Sequence, residues 1–239
     1  MLPNLTKVTA LSVNDRQLLG MMAGLLIELQ DLDNAEKIYR KVAEVDPGQN
    51  LTLAKFLGNY RNVDQCFQKL NEIYNPQLIP AIAEAALTVV RKQREKVGDK
   101  FDAQIQTWLD TGLRENPDSV VLLMDQADLY DIQKRYDDAA AVYQKLLERK
   151  DLVGLRRAIV LNNLSFLAAV AGPKAKVNVD PLKRVEEAKD IMGPNSDILD
   201  TRAVVFIAKK RYDEAIEDLE LSVTDNPTAS KYFHKAHAH

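Results

Sequence analysis

The stretch that most constrains the fold runs from Asn195 to Pro227, NSDILDTRAVVFIAKKRYDEAIEDLELSVTDNP. Leu199, Ala203 and Phe206 recur at helical spacing in its first half; Tyr212, Ala215, Leu219 and Val223 do so in its second. Lys209, Lys210 and Arg211 suit the negative end of the first helix dipole, and Asp213 and Glu214 suit the positive end of the next. Ala203 and Ala215 are small where two helix axes must approach, and Tyr212 is expected to fill the corner beside the turn. Asp225-Asn226-Pro227 stops the second helix, because proline disfavours a helical residue before it. One such hairpin cannot bury its apolar faces alone and must stack on copies of itself.

Two further copies are legible. From Val120 to about Asp151 the pattern is Leu123, Ala127 and Tyr130, then Tyr136, Ala139 and Tyr143. From Arg16 to Pro47 it is Leu19, Ala23 and Leu26, then Ala35 and Tyr39. Ala35 to Ala139 is 104 residues and Pro47 to Pro117 is 70, each two more than a multiple of 34. The pattern resembles the tetratricopeptide repeat, a 34-residue helix-turn-helix unit with small residues in both helices and a closing proline. The resemblance implies an all-α chain, a right-handed α-solenoid of stacked helix-turn-helix repeats. The expected boundaries are 16–49, 50–76, 77–119, 120–153, 158–195 and 196–229, with a half repeat at 230–239. The whole chain, 1–239, reads as a single array.

Several segments depart from the pattern. The second repeat is short, and Cys66 stands where its second helix would carry alanine, as a small core residue. In the third, Arg91–Lys96 reads as a solvated helix end and Trp108, the one tryptophan, as a buried packing anchor. The segment Gly172–Asp180 reads as a surface insertion, after which Asp180-Pro181 restarts a helix. Gly20 and Gly24 form a GxxxG, expected to permit close helix packing. No polar helix closes the array after the half repeat, as solenoids require for solubility. The expectation is therefore a fragment of a longer protein, or self-association through the uncapped C-terminal helix.

Composition narrows the function. A net charge of −3 argues against nucleic acid, although helical repeats that read RNA base by base remain an alternative. One cysteine excludes a disulfide framework and any multi-cysteine metal site. The opening MLPNLTKVTALSVND has no apolar core of signal-peptide length, and no apolar run reaches the length of a membrane span. That leaves cytoplasm and periplasm equally open. No Ser-His-Asp order, HExxH, CxxC or phosphate loop is present, so neither catalysis nor a cofactor is expected. His234, His237 and His239 close the chain; His234 and His237 lie one turn apart, but with no acidic partner close in sequence they read as a surface cluster at a frayed end.

In the family, the first helix of each repeat lines a concave surface where ligands bind. The matching positions are Glu28, Glu84, then Asp125, Asp128 and Asp131, then Asn162, Asn163 and Phe166, then Asp197, Asp200 and Thr201. The resemblance implies a non-catalytic scaffold whose groove takes a protein or peptide segment. The aspartates point to a basic segment, and Asn162 and Asn163 to hydrogen bonds with its backbone. Some relatives clamp a terminal carboxylate with lysine, asparagine and arginine; the lysines and arginine are absent from the matching positions here. A narrower resemblance links LNNLSFL, ILDTRAVVFIAKKRYDEAIEDL and YFHKAHAH to the terminal repeats of long bacterial tetratricopeptide proteins. Some of those accompany exopolysaccharide export, which implies as an alternative a helical docking module of a larger enzyme or envelope export machine.

Overall fold

The computed structural model describes residues 13–171, 177 and 179–239. Residues 1–12, and residues 172–176 and 178 of the expected insertion, lie outside them. The described residues form helices and no strands. The chain divides into two compact units, Met1–Pro117 and Asp118–His239.

The first unit holds three hairpins: α1 (Val13–Glu28) with α2 (Leu32–Val45), α3 (Asn50–Tyr60) with α4 (Val63–Glu72), and α5 (Ile79–Val97) with α6 (Asp102–Glu115). The second holds α7 (Val120–Ile132) with α8 (Tyr136–Leu147), α9 (Gly154–Ala171) with α10 (Pro181–Met192), and α11 (Ser196–Ala208) with α12 (Tyr212–Asp225). A single helix, α13 (Ala229–Ala238), follows and packs on both α11 and α12. Within each unit successive hairpins stack, the architecture of an α-solenoid of helical repeats.

The expected close approaches are where the hairpins meet. Ala23 and Ala35, Ala127 and Ala139, and Ala203 and Ala215 are all fully buried. The turns of these three hairpins are built alike. Gln30, Lys134 and Lys210 take the left-handed conformation, with φ of 61°, 60° and 60°. At each turn two backbone bonds close the helix end. Gln30 N donates to Ile27 O at 3.0 Å and Asp31 N to Leu26 O at 2.8 Å. Lys134 N–Asp131 O (2.9 Å) with Arg135 N–Tyr130 O (2.8 Å), and Lys210 N–Ile207 O with Arg211 N–Phe206 O (both 2.9 Å), repeat the pair. This is the Schellman closure, which satisfies carbonyls that a helix end leaves unpaired.

The corner beside the turn is filled differently from expectation. Tyr212 is 44% exposed. The Arg211 guanidinium instead covers the Phe206 ring at 4.5 Å, as Arg135 covers Tyr130 at 4.2 Å. Arginine caps an aromatic face through its charge and planar shape together.

In the first unit the shortened repeat closes through its smallest side chains. A Cβ on Gly58 would stand 2.4 Å from Val89 Cγ1 and 2.9 Å from Cys66 Cβ, so only glycine lets α3 lie this near α4 and α5. Burial pushes the Cys66 thiol up to about 12, which makes it an inert core residue. Trp108 is buried and stacks on Phe67 at 5.7 Å, with Phe101 stacked on Phe67 at 4.0 Å. The run from Arg91 ends α5, where Arg94 makes a bidentate bridge to Asp102 at 2.6 and 3.0 Å. Gly20 and Gly24 overturn the packing expectation: among the described residues a Cβ on either would meet nothing within 4 Å. The helix that would need their smallness does not lie against them.

In the second unit Arg202 ties three helices. It bonds Asp218 of α12 through two nitrogens at 2.7 and 2.6 Å and Glu186 of α10 at 2.8 Å. The planar fork fits a carboxylate on two sides at once. Asp180 caps α10 by accepting from Leu182 N at 3.1 Å, with Pro181 in the first turn, as its sequence predicts. No helix among the described residues is long and apolar enough to cross a membrane.

Candidate functional site

The residues predicted to face a groove in the second unit lie on α7, α9 and α11, and α13 brings further side chains to them. Three of these helices are positioned by side-chain caps. Ser119 accepts from Leu122 N at 3.4 Å, Asn195 from Asp197 N and Ile198 N at 3.1 Å, and Thr228 from Lys231 N at 3.3 Å. Each cap satisfies amides left unpaired by the first helical turn.

On α7 the three aspartates are unequal. Asp125 is 7% exposed, which corrects the expectation of three carboxylates on an open face; Asp128 and Asp131 are half-buried. Asp128 Oδ1 accepts from the Tyr143 hydroxyl at 2.8 Å. The same hydroxyl accepts from Asn163 Nδ2 at 3.2 Å, so one buried tyrosine of α8 joins α7 to α9. Asn162 Nδ2 donates to Asn163 Oδ1 at 3.4 Å. The Asn162 Oδ1 atom is buried and finds no donor among the described residues.

Phe166, one turn along α9, is half-buried beside His234, with ring centroids 6.3 Å apart. His234 Nδ1 lies 2.8 Å from Asp200 Oδ1, and the two side chains are 14% and 16% exposed. The histidine expected in a surface cluster therefore joins α9, α11 and α13. Its acidic partner stands 34 residues earlier, one repeat away.

Asp197 stays exposed, with Oδ1 3.3 Å from Lys231 Nζ. Lys231 is itself buried, and its ammonium also donates to Ser196 Oγ at 2.5 Å and Asn226 O at 3.2 Å. Two serines cross-link behind it, Ser196 Oγ to Ser222 O at 2.8 Å and Ser222 Oγ to Ser196 O at 2.7 Å. All three ammonium donors are thus used, which is what makes a buried lysine tolerable. Thr201 is buried and presents nothing to a ligand. Glu28 and Glu84, in the first unit, are exposed.

The structure thus brings Asp128 together with Asn163 through Tyr143, and Phe166 together with Asp200 through His234. It withdraws Asp125 and Thr201. Tyr143, Lys231 and His234 were missed as members of this face. The signal that finds the last two is the repeat period, since Asp197–Lys231 and Asp200–His234 are each 34 apart. Asp128, Asp197 and Asp200 each have an internal partner, so the face is less acidic than its composition. It offers amides, an aromatic ring and half-buried carboxylates, a set suited to holding a polypeptide by hydrogen bonds and packing.

Comparison with known proteins bears on the fold. Residues 17–49 match one tetratricopeptide-repeat family model and residues 106–152 another. The crystal structure of the P58(IPK) TPR domain aligns over 94% of this chain at 16% identity, with a TM-score of 0.42. This chain covers 65% of that chain's length. No curated protein matches the sequence. The two matched segments contain the first two of the three hairpins that share buried alanine pairs and left-handed turns. With those recurrences in place, the chain carries tetratricopeptide repeats, matched at residues 17–49 and 106–152.

Proposed function

We propose that this chain is a protein-interaction scaffold that holds a partner segment against α7, α9, α11 and α13 of its second unit. Tetratricopeptide repeats generally mediate protein–protein interaction and are typically non-catalytic, and the candidate site fits that role. The observation that carries the reading is the Asn162–Asn163 pair, whose one carbonyl oxygen is buried without a donor. A buried acceptor without a donor costs about 1–3 kcal/mol, so a rotation of the half-buried Asn162 side chain that turns this oxygen to a bound backbone amide is favoured. Phe166 and His234 supply a packing surface beside that acceptor. Because the amides and rings are held by packed helices, little ordering cost falls on this chain during binding.

The test is affinity capture from the source cells by wild-type protein and by an Asn162→Ala, Phe166→Ala variant, with mass spectrometry of what is retained. Partners retained by wild type and lost by the variant support the face, and direct titration then measures the loss. Equal retention by both removes it. A second reading is favoured by α13, where Tyr232 is 55% and Phe233 68% exposed: self-association through this helix. Light scattering that gives a concentration-independent monomer removes that reading.

A further inference from the structure

Two helices show apolar faces to solvent. Leu18, Met21, Leu25 and Leu29 of α1 are 58%, 68%, 57% and 76% exposed, and Tyr232 and Phe233 of α13 are exposed as well. We propose that these faces are the two halves of one contact between copies of this chain, in which α13 of one copy lies on α1 of the next. The proposal rests on the self-association reading above and adds the surface that receives α13.

The helix α13 is inside out. It buries Lys231, whose ammonium is held by Ser196, Asp197 and Asn226, and it turns His234 to Asp200. Its aromatic rings point away from its own unit. Rolling the helix to cover them would leave a buried ammonium unpaired, a larger loss than the burial of a ring returns. The aromatic face therefore stays outward.

The helix α1 is apolar on both sides. Leu19 and Ala23 are buried with Ile38 and Val42 of α2. The four exposed residues follow one another at three or four positions, so they share the opposite side. A helix apolar all round is one built to be covered all round. Met21, Leu25 and Leu29 form a ridge along that side, and Gly20 and Gly24 form the furrow next to it. Among the described residues a Cβ on either glycine would meet nothing within 4 Å, so the furrow is open to a large side chain such as Phe233.

Charge and register select α13 of a second copy. That helix has no acidic side chain and carries Lys235, His237 and His239 beside its rings. Two α13 helices face to face would oppose basic groups. From Gln17 to Gln30, α1 carries no cation; its one charged side chain, Glu28, is exposed and follows Gly24 by a turn. Asp197–Lys231 and Asp200–His234 both span 34 residues, so α13 runs parallel to α11. A further parallel step sets Phe233 at Gly24 of the next copy and brings His237, one turn on, to its Glu28. Such a contact is head-to-tail, and each copy uses both halves.

The test is sedimentation velocity of the full chain over a concentration series. Wild type is expected to sediment faster as concentration rises. Leu25→Lys and Phe233→Lys each block one half, and each alone is expected to weaken assembly roughly tenfold or more. An equimolar mixture of the two retains one intact α1 and one intact α13, and is expected to form a dimer and stop there. Both positions are exposed, so both variants are expected to melt with wild type; should either fold poorly, Leu18→Lys or Tyr232→Lys replaces it. Wild type that stays monomeric throughout overturns this inference together with the self-association reading. Assembly undiminished by Leu25→Lys overturns this inference alone, and so does a mixture that stays monomeric.

Discussion

Asp200 and His234 stand 34 residues apart in sequence and 2.8 Å apart in space. The same interval separates Asp197 from Lys231. Where helices one repeat apart lie side by side, a residue meets the residue one period later. The pair is therefore a long-range contact written in the repeat itself, and it fixes α13 to α11.

Breaking that pair should loosen α13 before the rest of the second unit. Asp200→Asn and His234→Ala are each expected to cost about 1–2 kcal/mol, the scale of a charged, part-buried hydrogen bond. The double variant should cost less than the sum, because both remove one interaction. Hydrogen exchange read by mass spectrometry should show faster exchange across Ala229–Ala238, with the α7–α8 hairpin unchanged. Additive costs, or unchanged exchange in α13, would count against a direct latch.

This pair also marks how far the sequence could be read. Periodicity located the helices, and the alanine pairs located the close approaches, because both follow from which side of a helix is apolar. Contacts between repeats depend on how far one hairpin is rotated on the next, which no single helix encodes. Hence Asp125 was expected on an open face and is buried, and His234 was read as surface and has a partner. Gly20 and Gly24 read as a packing groove because GxxxG describes a shape and not what fills it; among the described residues nothing lies within 4 Å of where either Cβ would stand. Tyr212 was expected in a corner that an arginine covers, since the fit of a cation on Phe206 leaves no periodic trace.

The three left-handed turns predict simple stabilising changes. Gln30, Lys134 and Lys210 adopt a conformation in which Cβ crowds the backbone, costing roughly 1–2 kcal/mol. Glycine avoids that crowding but loses more freedom on folding. The net expectation for Gln30→Gly, Lys134→Gly or Lys210→Gly is a gain of about 0.5–1 kcal/mol each. Urea midpoints check it; a loss at all three positions would mean that the side chains contribute more than the strain costs.

Gly58 predicts the opposite sign. Its missing Cβ is the space that Val89 and Cys66 occupy. Gly58→Ala should destabilise the first unit by about 1–3 kcal/mol, the usual range for overpacking, although alanine is the better helix former. Gly58→Ala combined with Val89→Ala should recover part of the loss, because the contact at 2.4 Å is to a valine methyl group. Thermal melts of the two variants decide it: equal melting temperatures would place the clash on the backbone instead.

Acid should weaken both units through paired glutamates. Burial pushes the Glu186 carboxyl up, but hydrogen bonds from Lys189 and Arg202 outweigh it and hold the group below its ordinary 4.5. Glu36 behaves alike under Arg40 and Arg61. A carboxyl with a depressed folded pKa is charged in the folded state at a pH where the unfolded chain has begun to bind its proton. Its contribution is therefore complete above about pH 4.5 and is lost as pH falls through the folded value. Glu186→Gln should lower the urea midpoint slightly at pH 7 and flatten the decline below about pH 4.5, because one depressed carboxyl no longer titrates. Arg202 keeps its bidentate bridge to Asp218 in that variant, so α11 and α12 should stay joined while α10 loses an anchor. A variant whose midpoint falls as steeply with acid as wild type would show that the Glu186 pair adds nothing to the pH dependence.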